Sequence, residues 1–203
     1  MEVSIDAANH HGCTDAMVSE RTLATVGISK AAADAAWPQV AEAMTEYFAS
    51  LPDEDIRLGL ELLPGVAELL SALSTSDAAV VGLVTGNLQP IAWAKMRGLG
   101  IEAHFTVPRV GGFGSDHWDR NELVKTALRR AQELFPGTDF KHSHVGDTPA
   151  DVNAARAGGA QAIGVCTGVF TAPELLAANP DAVMLANLCD TALVLKHLLI
   201  DLS

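Results

Sequence analysis

From Pro64 onward, apolar residues follow two alternating spacings. Val66, Leu69, Leu70 and Leu73 recur at helical intervals and predict a short amphipathic helix. Ala78 to Val84 is a continuous apolar run tipped by Thr85-Gly86-Asn87, the pattern of a strand buried on both faces. Ile91 to Leu99 is helical again and stops at Gly98 to Gly100, and Phe105 to Val107 predicts a second short strand. Gly111 to Asp119 reads as a Gly-rich polar loop, followed by an amphipathic helix over Asn121 to Leu134. A strand then ends at His144 to Asp147. Thr148-Pro149 opens a helix that halts at Gly158-Gly159. Ala162 to Cys166 (strand), Pro173 to Ala178 (helix), Ala182 to Leu185 (edge strand) and Asp190 to Leu199 (helix) complete the chain. Alternation of this kind predicts an α/β fold with a doubly wound parallel sheet.

Before residue 60 the pattern is helical. Thr14 or Asp15 caps a helix reaching Val26, with Met17, Leu23 and Val26 at helical spacing. Ser29 caps a longer one to about Ser50, with Pro38 as a kink. Pro52 to Leu63 is acidic and loop-like. At the start, Val3 and Ile5 alternate with Ser4 and Asp6, which permits a short strand until His10, His11 and Gly12 break it.

Composition narrows the function classes. The formal net charge of -12 disfavours nucleic acid and anionic membrane as partners. Cys13, Cys166 and Cys189 are odd in number and widely spaced, the usage of reduced thiols. No run of about 18 apolar residues and no leader pattern is present, so a cytoplasmic location is expected.

Candidate chemistry concentrates at His144-Val145-Gly146-Asp147-Thr148-Pro149-Ala150-Asp151. Two carboxylates four residues apart, one at a strand tip and one in the next helix's first turn, converge on the crevice where open parallel sheets bind ligands. Paired hard oxygen donors suit Mg²⁺ completed by waters and phosphate. The competing reading is that Asp147 and Asp151 only cap the helix and favour its dipole. The histidines lack metal-ligand spacing; of His142 and His144, which alternate on a strand, only one is expected to point toward a given face. Trp93, on a helix, is expected in the core, and Gly111-Gly112-Phe113-Gly114 is no dinucleotide fingerprint.

Leu83-Val84-Thr85-Gly86-Asn87, a basic residue just before a helix, and Val145-Gly146-Asp147-Thr148-Pro149-Ala150-Asp151 with Ala154 to Ala160 downstream together resemble the haloacid dehalogenase-like (HAD) phosphohydrolases. Gly12-Cys13-Thr14-Asp15 resembles the cap entry of phosphoglycolate-phosphatase-like members. The resemblance implies a Rossmann-like core over 63–203 and a helical cap subdomain over 1–62. It further implies that Thr85 holds a phosphate oxygen, with the Gly86 and Asn87 backbone adding donors. Arg120 would neutralise phosphate, with Lys125 as runner-up. Asp147 would be a direct Mg²⁺ ligand, with Asp151 as second ligand or water acceptor. Thr85, Arg120 and Asp147 are thus the expected catalytic set, and a small phosphorylated metabolite the expected ligand. The family's first motif, Asp-x-Asp-x-Thr at the tip of the first central strand, supplies the nucleophile. It is not found here: Asp6 comes nearest, but Ala8 and His10 stand where Asp and Thr belong. The first central strand is therefore expected to be missing and the chain inactive as it stands, the alternative being a non-catalytic binding protein. A missing strand would leave a slot of about 10 Å between the strands of Thr85 and Asp147. The flanking strands would close up, Met1 to Asp6 would fill the slot, or the fold would fail.

Overall fold

The computed structural model describes Ser4 and residues 10–198. The strand allowed for Val3 and Ile5, and Asp6 with it, lie outside the described residues.

Two capped helices come first. Thr14 accepts from the Met17 N–H and starts α1 (Asp15–Ala24); Ser29 accepts from the Ala32 N–H and starts α2 (Lys30–Ser50), which contains Pro38. The acidic stretch expected to be loop contains a helix, α3 (Asp53–Arg57). Three carboxylates in its first turn favour the helix N-terminus, and Ile56 is buried. α3 rests on α5 (Gln89–Gly98), where Arg97 pairs with Asp53 at 2.8 Å.

After α4 (Val66–Ser74) come five parallel strands in two sheets. β1 (Leu83–Thr85) pairs with β2 (Gly111–Phe113); β4 (Gln161–Val165) lies between β3 (Ser143–Gly146) and β5 (Val183–Leu185). Among the described residues no ladder joins the two sheets. The division falls between the strands of Thr85 and Asp147, where the slot is expected.

Two strand expectations need correction. The run Ala78 to Val84 enters a ladder only from Leu83, because β2 offers partners only that far. Val81 is instead tied to Thr106: its N–H donates to the Thr106 hydroxyl at 2.8 Å, and the Thr106 N–H donates back at 3.1 Å. Phe105 to Val107 is therefore no strand; Phe105 buries its ring against Trp93, and Val107 is exposed. The second strand is the glycine pair expected to be loop. A Cβ on Gly111 would overlap the Leu83 carbonyl, and one on Gly112 the Leu123 carbonyl of α6 (Arg120–Leu134). Only glycine lets a strand run that close to both neighbours.

Consecutive residues of β4 show why the sheet is doubly wound. Ile163 joins Leu69, Leu73, Leu185 and Val194, beneath α4 and α9 (Thr191–His197). Ala162 joins Val152, Ala155 and Leu175, beneath α7 (Pro149–Ala157) and α8 (Ala172–Ala178). Adjacent strand residues point to opposite faces, so both faces are covered. Trp93, as expected, is buried with Phe105 and Phe113 in a third cluster between α5 and the β1–β2 sheet. Among the described residues no helix is long and apolar enough to cross a membrane.

Candidate active site

Thr85 ends β1, and the chain turns sharply after it. The Thr85 hydroxyl accepts from the Asn87 N–H at 3.2 Å, which curls the turn. That N–H is thereby committed, leaving the Thr85 hydroxyl proton and the Gly86 N–H as the donors the turn can offer an anion. Asp15, first residue of α1, holds the turn from outside. Its carboxylate accepts from Asn87 Nδ2 and from the Leu88 N–H, each at 2.8 Å, and its own N–H donates to the Gly86 carbonyl at 2.8 Å. Lys95, nearly two turns into α5, donates to Asn87 Oδ1 at 2.9 Å. Burial lowers the Lys95 amine from its ordinary value, and the nearby Asp15 charge works the other way.

Asp147 follows β3, and Thr148 caps α7 through a reciprocal capping box. The Asp151 N–H donates to the Thr148 hydroxyl, while Asp151 Oδ2 accepts from the Thr148 N–H at 3.0 Å and its hydroxyl at 2.7 Å. Asp151 Oδ1 receives Arg120 Nη1 at 2.6 Å, both side chains being largely buried. His144 Nε2 stands 3.7 Å from the same oxygen, beyond hydrogen-bond distance, and interacts as a charge when protonated. Burial alone would raise the Asp151 carboxyl; His144, Arg120 and Thr148 together outweigh it and hold the group well below the usual carboxylate range. Asp147 is opposite in character. Burial first, then the Asp151 charge, raises its carboxyl above the ordinary value, with Arg120 and His11 only partly compensating. Gly168 lies against it so closely that a Cβ there would overlap Asp147 Oδ2. A cavity of about 170 Å³ opens beside Asp147, its lining apolar apart from Asp147 and Thr167.

The two strand tips are connected by residues 12–15. The Gly12 carbonyl accepts from Arg120 Nε at 3.1 Å, and a Cβ on Gly12 would meet the Ala150 Cβ at 2.8 Å. Three residues on, Asp15 grips the turn after Thr85. Cys13 and Thr14 run so close to Gly86 that a Cβ there would overlap the Cys13 carbonyl. Arg120, Asp147, Thr148 and Asp151 thus share one corner, with Thr85, Gly86 and Asn87 at the other end of this short bridge. Lys125 pairs with Glu122 on the exposed face of α6 and takes no part. Arg120 is the first residue of α6, so the helix itself aims it inward.

Asp15, Lys95, His144 and Gly168 belong to the site and are not among the residues expected from sequence. His142 precedes β3, so of the two histidines only His144 lies on that strand; burial and then the His144 charge lower the His142 imidazole. Asp15 alone carried a hint, in the resemblance of residues 12–15 to a cap entry. Among the described residues no group of three or more His, Cys, Asp or Glu side chains converges as a metal cage.

Residues 121–191 match the family model of HAD-hydrolase-like domains. A haloacid dehalogenase-like family hydrolase from Streptococcus pneumoniae has a similar fold, with a TM-score of 0.51 and 18% identity over 96% of this chain and 92% of that one. A protein from Clostridium difficile, described as a candidate phosphatase, gives a TM-score of 0.53 and 17% identity over 95% and 93% of the two chains. None of the curated proteins matches. The likeness to the haloacid dehalogenase-like hydrolases expected from the motifs is therefore present in the chain, in its fold as a whole and, at the level of sequence, over residues 121–191.

Proposed function

We propose that this chain is a phosphomonoester hydrolase domain of the haloacid dehalogenase type, with a small phosphorylated metabolite as ligand and Mg²⁺ as cofactor. In this reading residues 1–62 are the cap, residues 63–203 the core, and the location cytoplasmic. The observation that carries it is the link, through residues 12–15, between a hydroxyl turn at the Thr85 strand tip and a carboxylate corner at Asp147 and Asp151. Such tips are where open α/β sheets bind ligands. Thr85 and the Gly86 N–H would donate to phosphate oxygens.

The donor set fits a divalent cation held mostly by water and phosphate. Two carboxylates face one guanidinium, and burial together with the Asp151 charge raises the Asp147 carboxyl. Asp147 would be the protein ligand, and Asp151, already committed to Thr148 and Arg120, would act through the second shell of water. The cation would neutralise phosphate charge. Arg120 keeps Asp151 ionised and ties the corner to Gly12.

The nucleophilic carboxylate of the family is not assigned to any described residue. The chain as given is accordingly read as binding phosphate without turning over esters. Two measurements test this: isothermal titration with inorganic phosphate and Mg²⁺, and hydrolysis of p-nitrophenyl phosphate. Binding that Asp147→Ala and Thr85→Val each abolish, without turnover, is the expected result. A flat titration of the native chain rejects the reading, and turnover rejects the assignment of inactivity.

A further inference from the structure

The grip of Asp15 on the turn after Thr85 goes further than helix capping requires. α1 is already capped by Thr14, so Asp15 is not needed to start it. Its two carboxylate oxygens are instead spent on groups 72 and 73 residues away, the Asn87 amide and the Leu88 N–H. The Asn87 amide is fixed at both ends, since Nδ2 can donate to Asp15 only while Oδ1 accepts from Lys95. With the Asn87 side chain locked and the Leu88 N–H taken, the Asn87 N–H stays on the Thr85 hydroxyl oxygen. The Thr85 hydroxyl, accepting there, keeps its proton for another acceptor.

We propose that Asp15 is a positioning residue: with Asn87 and Lys95 it holds the Thr85–Gly86 turn in its anion-receiving shape, so that seating of α1 and readiness of the turn are one event. This rests on the reading of Thr85 as a phosphate contact. Its chemistry is specific. In the native chain Asp15 accepts twice, Asn87 donates to it, and Lys95 donates to Asn87. A mere brace could be replaced by any group that restores stability. This network can be replaced only by one in which every donor still meets an acceptor. Exchanging the pair, D15N with N87D, keeps all three bonds with the one between 15 and 87 reversed: an amide oxygen accepts from the Leu88 N–H, an amide N–H donates to the carboxylate at 87, and Lys95 donates to that carboxylate. D15N alone sets two amide donors face to face.

The test uses the full chain in five forms: native, D15A, D15N, D15N/N87D, and I56A. The last loosens the buried α3–α5 contact without touching the turn. Inorganic phosphate with Mg²⁺ is titrated calorimetrically, and amide hydrogen exchange at Asn87 and Leu88 is followed without phosphate. Losing hydrogen bonds to a charged acceptor is expected to weaken phosphate binding about tenfold or more in D15A and D15N, and to speed exchange at both amides by a similar factor. D15N/N87D should return both to within about threefold of native, and I56A should lower Tm while leaving both unchanged, a contrast set by the single hydrogen-bond network. Native-like affinity and exchange in D15A, or the same loss in I56A as in D15A, overturns the proposal. So does an exchanged pair that recovers Tm without recovering the turn. If the native chain binds no phosphate, the reading of Thr85 fails, and exchange at Asn87 and Leu88 still decides whether Asp15 holds the turn.

Discussion

Replacing Arg120 by Met keeps most of the aliphatic stem and removes the charge that faces Asp151. Asp151 is 5% exposed, and the pair closes to 2.6 Å. Breaking a buried pair by removing one partner typically costs about 3–5 kcal/mol, because the other charge is left buried. Here the Thr148 N–H and hydroxyl still serve Asp151 Oδ2, so only Oδ1 is orphaned, which places the loss toward the lower end. The bond from Arg120 Nε to the Gly12 carbonyl also goes, worth about 1 kcal/mol. Together these give about 4 kcal/mol at pH 7, or a fall in Tm of about 8–16 °C for a domain of this size. The sign of the pH dependence follows from Asp151. Its folded-state carboxyl lies below the unfolded value, so it stabilises the native chain fully above about pH 4 and progressively less as pH falls through the folded value. Without Arg120, only His144 and Thr148 oppose the effect of burial, and that contribution shrinks. The gap between native and R120M should therefore be widest near neutrality and narrow steadily below about pH 4. Urea unfolding at several pH values measures it. A loss under about 1 kcal/mol at pH 7, or a gap that does not change with pH, would refute the buried-pair reasoning.

Other expectations follow from neighbouring residues. Asp147→Asn removes a carboxylate whose ionised form is disfavoured by folding, so stability at pH 7 should hold or rise while Mg²⁺ ceases to raise Tm; a destabilised variant that still responds to Mg²⁺ would contradict this. Because the same carboxyl is raised, Mg²⁺ affinity in the native chain should begin to fall at a higher pH than an ordinary carboxylate would give, as read by titrations from neutral to acid pH. Gly168→Ala should displace the Asp147 side chain and weaken the Mg²⁺ response with little change in secondary structure by circular dichroism. Gly112→Ala puts a methyl into the Leu123 carbonyl and should cost about 1–3 kcal/mol or more in urea unfolding, whereas a true surface loop would tolerate it.

Helix starts were legible because their signals are local: Thr14, Ser29 and Thr148-Pro149 each cap the helix that the sequence places after them. The carboxylate corner was legible for the same reason, its two acids lying four residues apart across one turn. β2 was not, because Gly111-Gly112 is a strand only by virtue of the Leu83 and Leu123 carbonyls that crowd it, and neither lies nearby in sequence. Phe105 to Val107 has strand composition, yet Val81 meets it through a threonine hydroxyl instead of a ladder. Asp15 and Lys95 are ordinary helix residues in sequence. They become part of the site through Asn87, eight residues from one and 72 from the other. Arg120 stands between these cases: its charge is visible in sequence, while its commitment to Asp151 depends on α6 lying beside α7.

Because the described strands form two sheets with no ladder between them, Thr85 and Asp147 belong to separately hydrogen-bonded bodies. An anion held by Thr85 directly and by Asp147 through a cation would work as a rivet across a seam. Part of its binding energy would go into suppressing relative motion of the two halves, and that part would vary with everything else that pins the seam. Affinity would then be a measure of mechanical stiffness as much as of contacts. Substitutions at Gly12, which touches no ligand in this arrangement, would change it by altering the play between the halves.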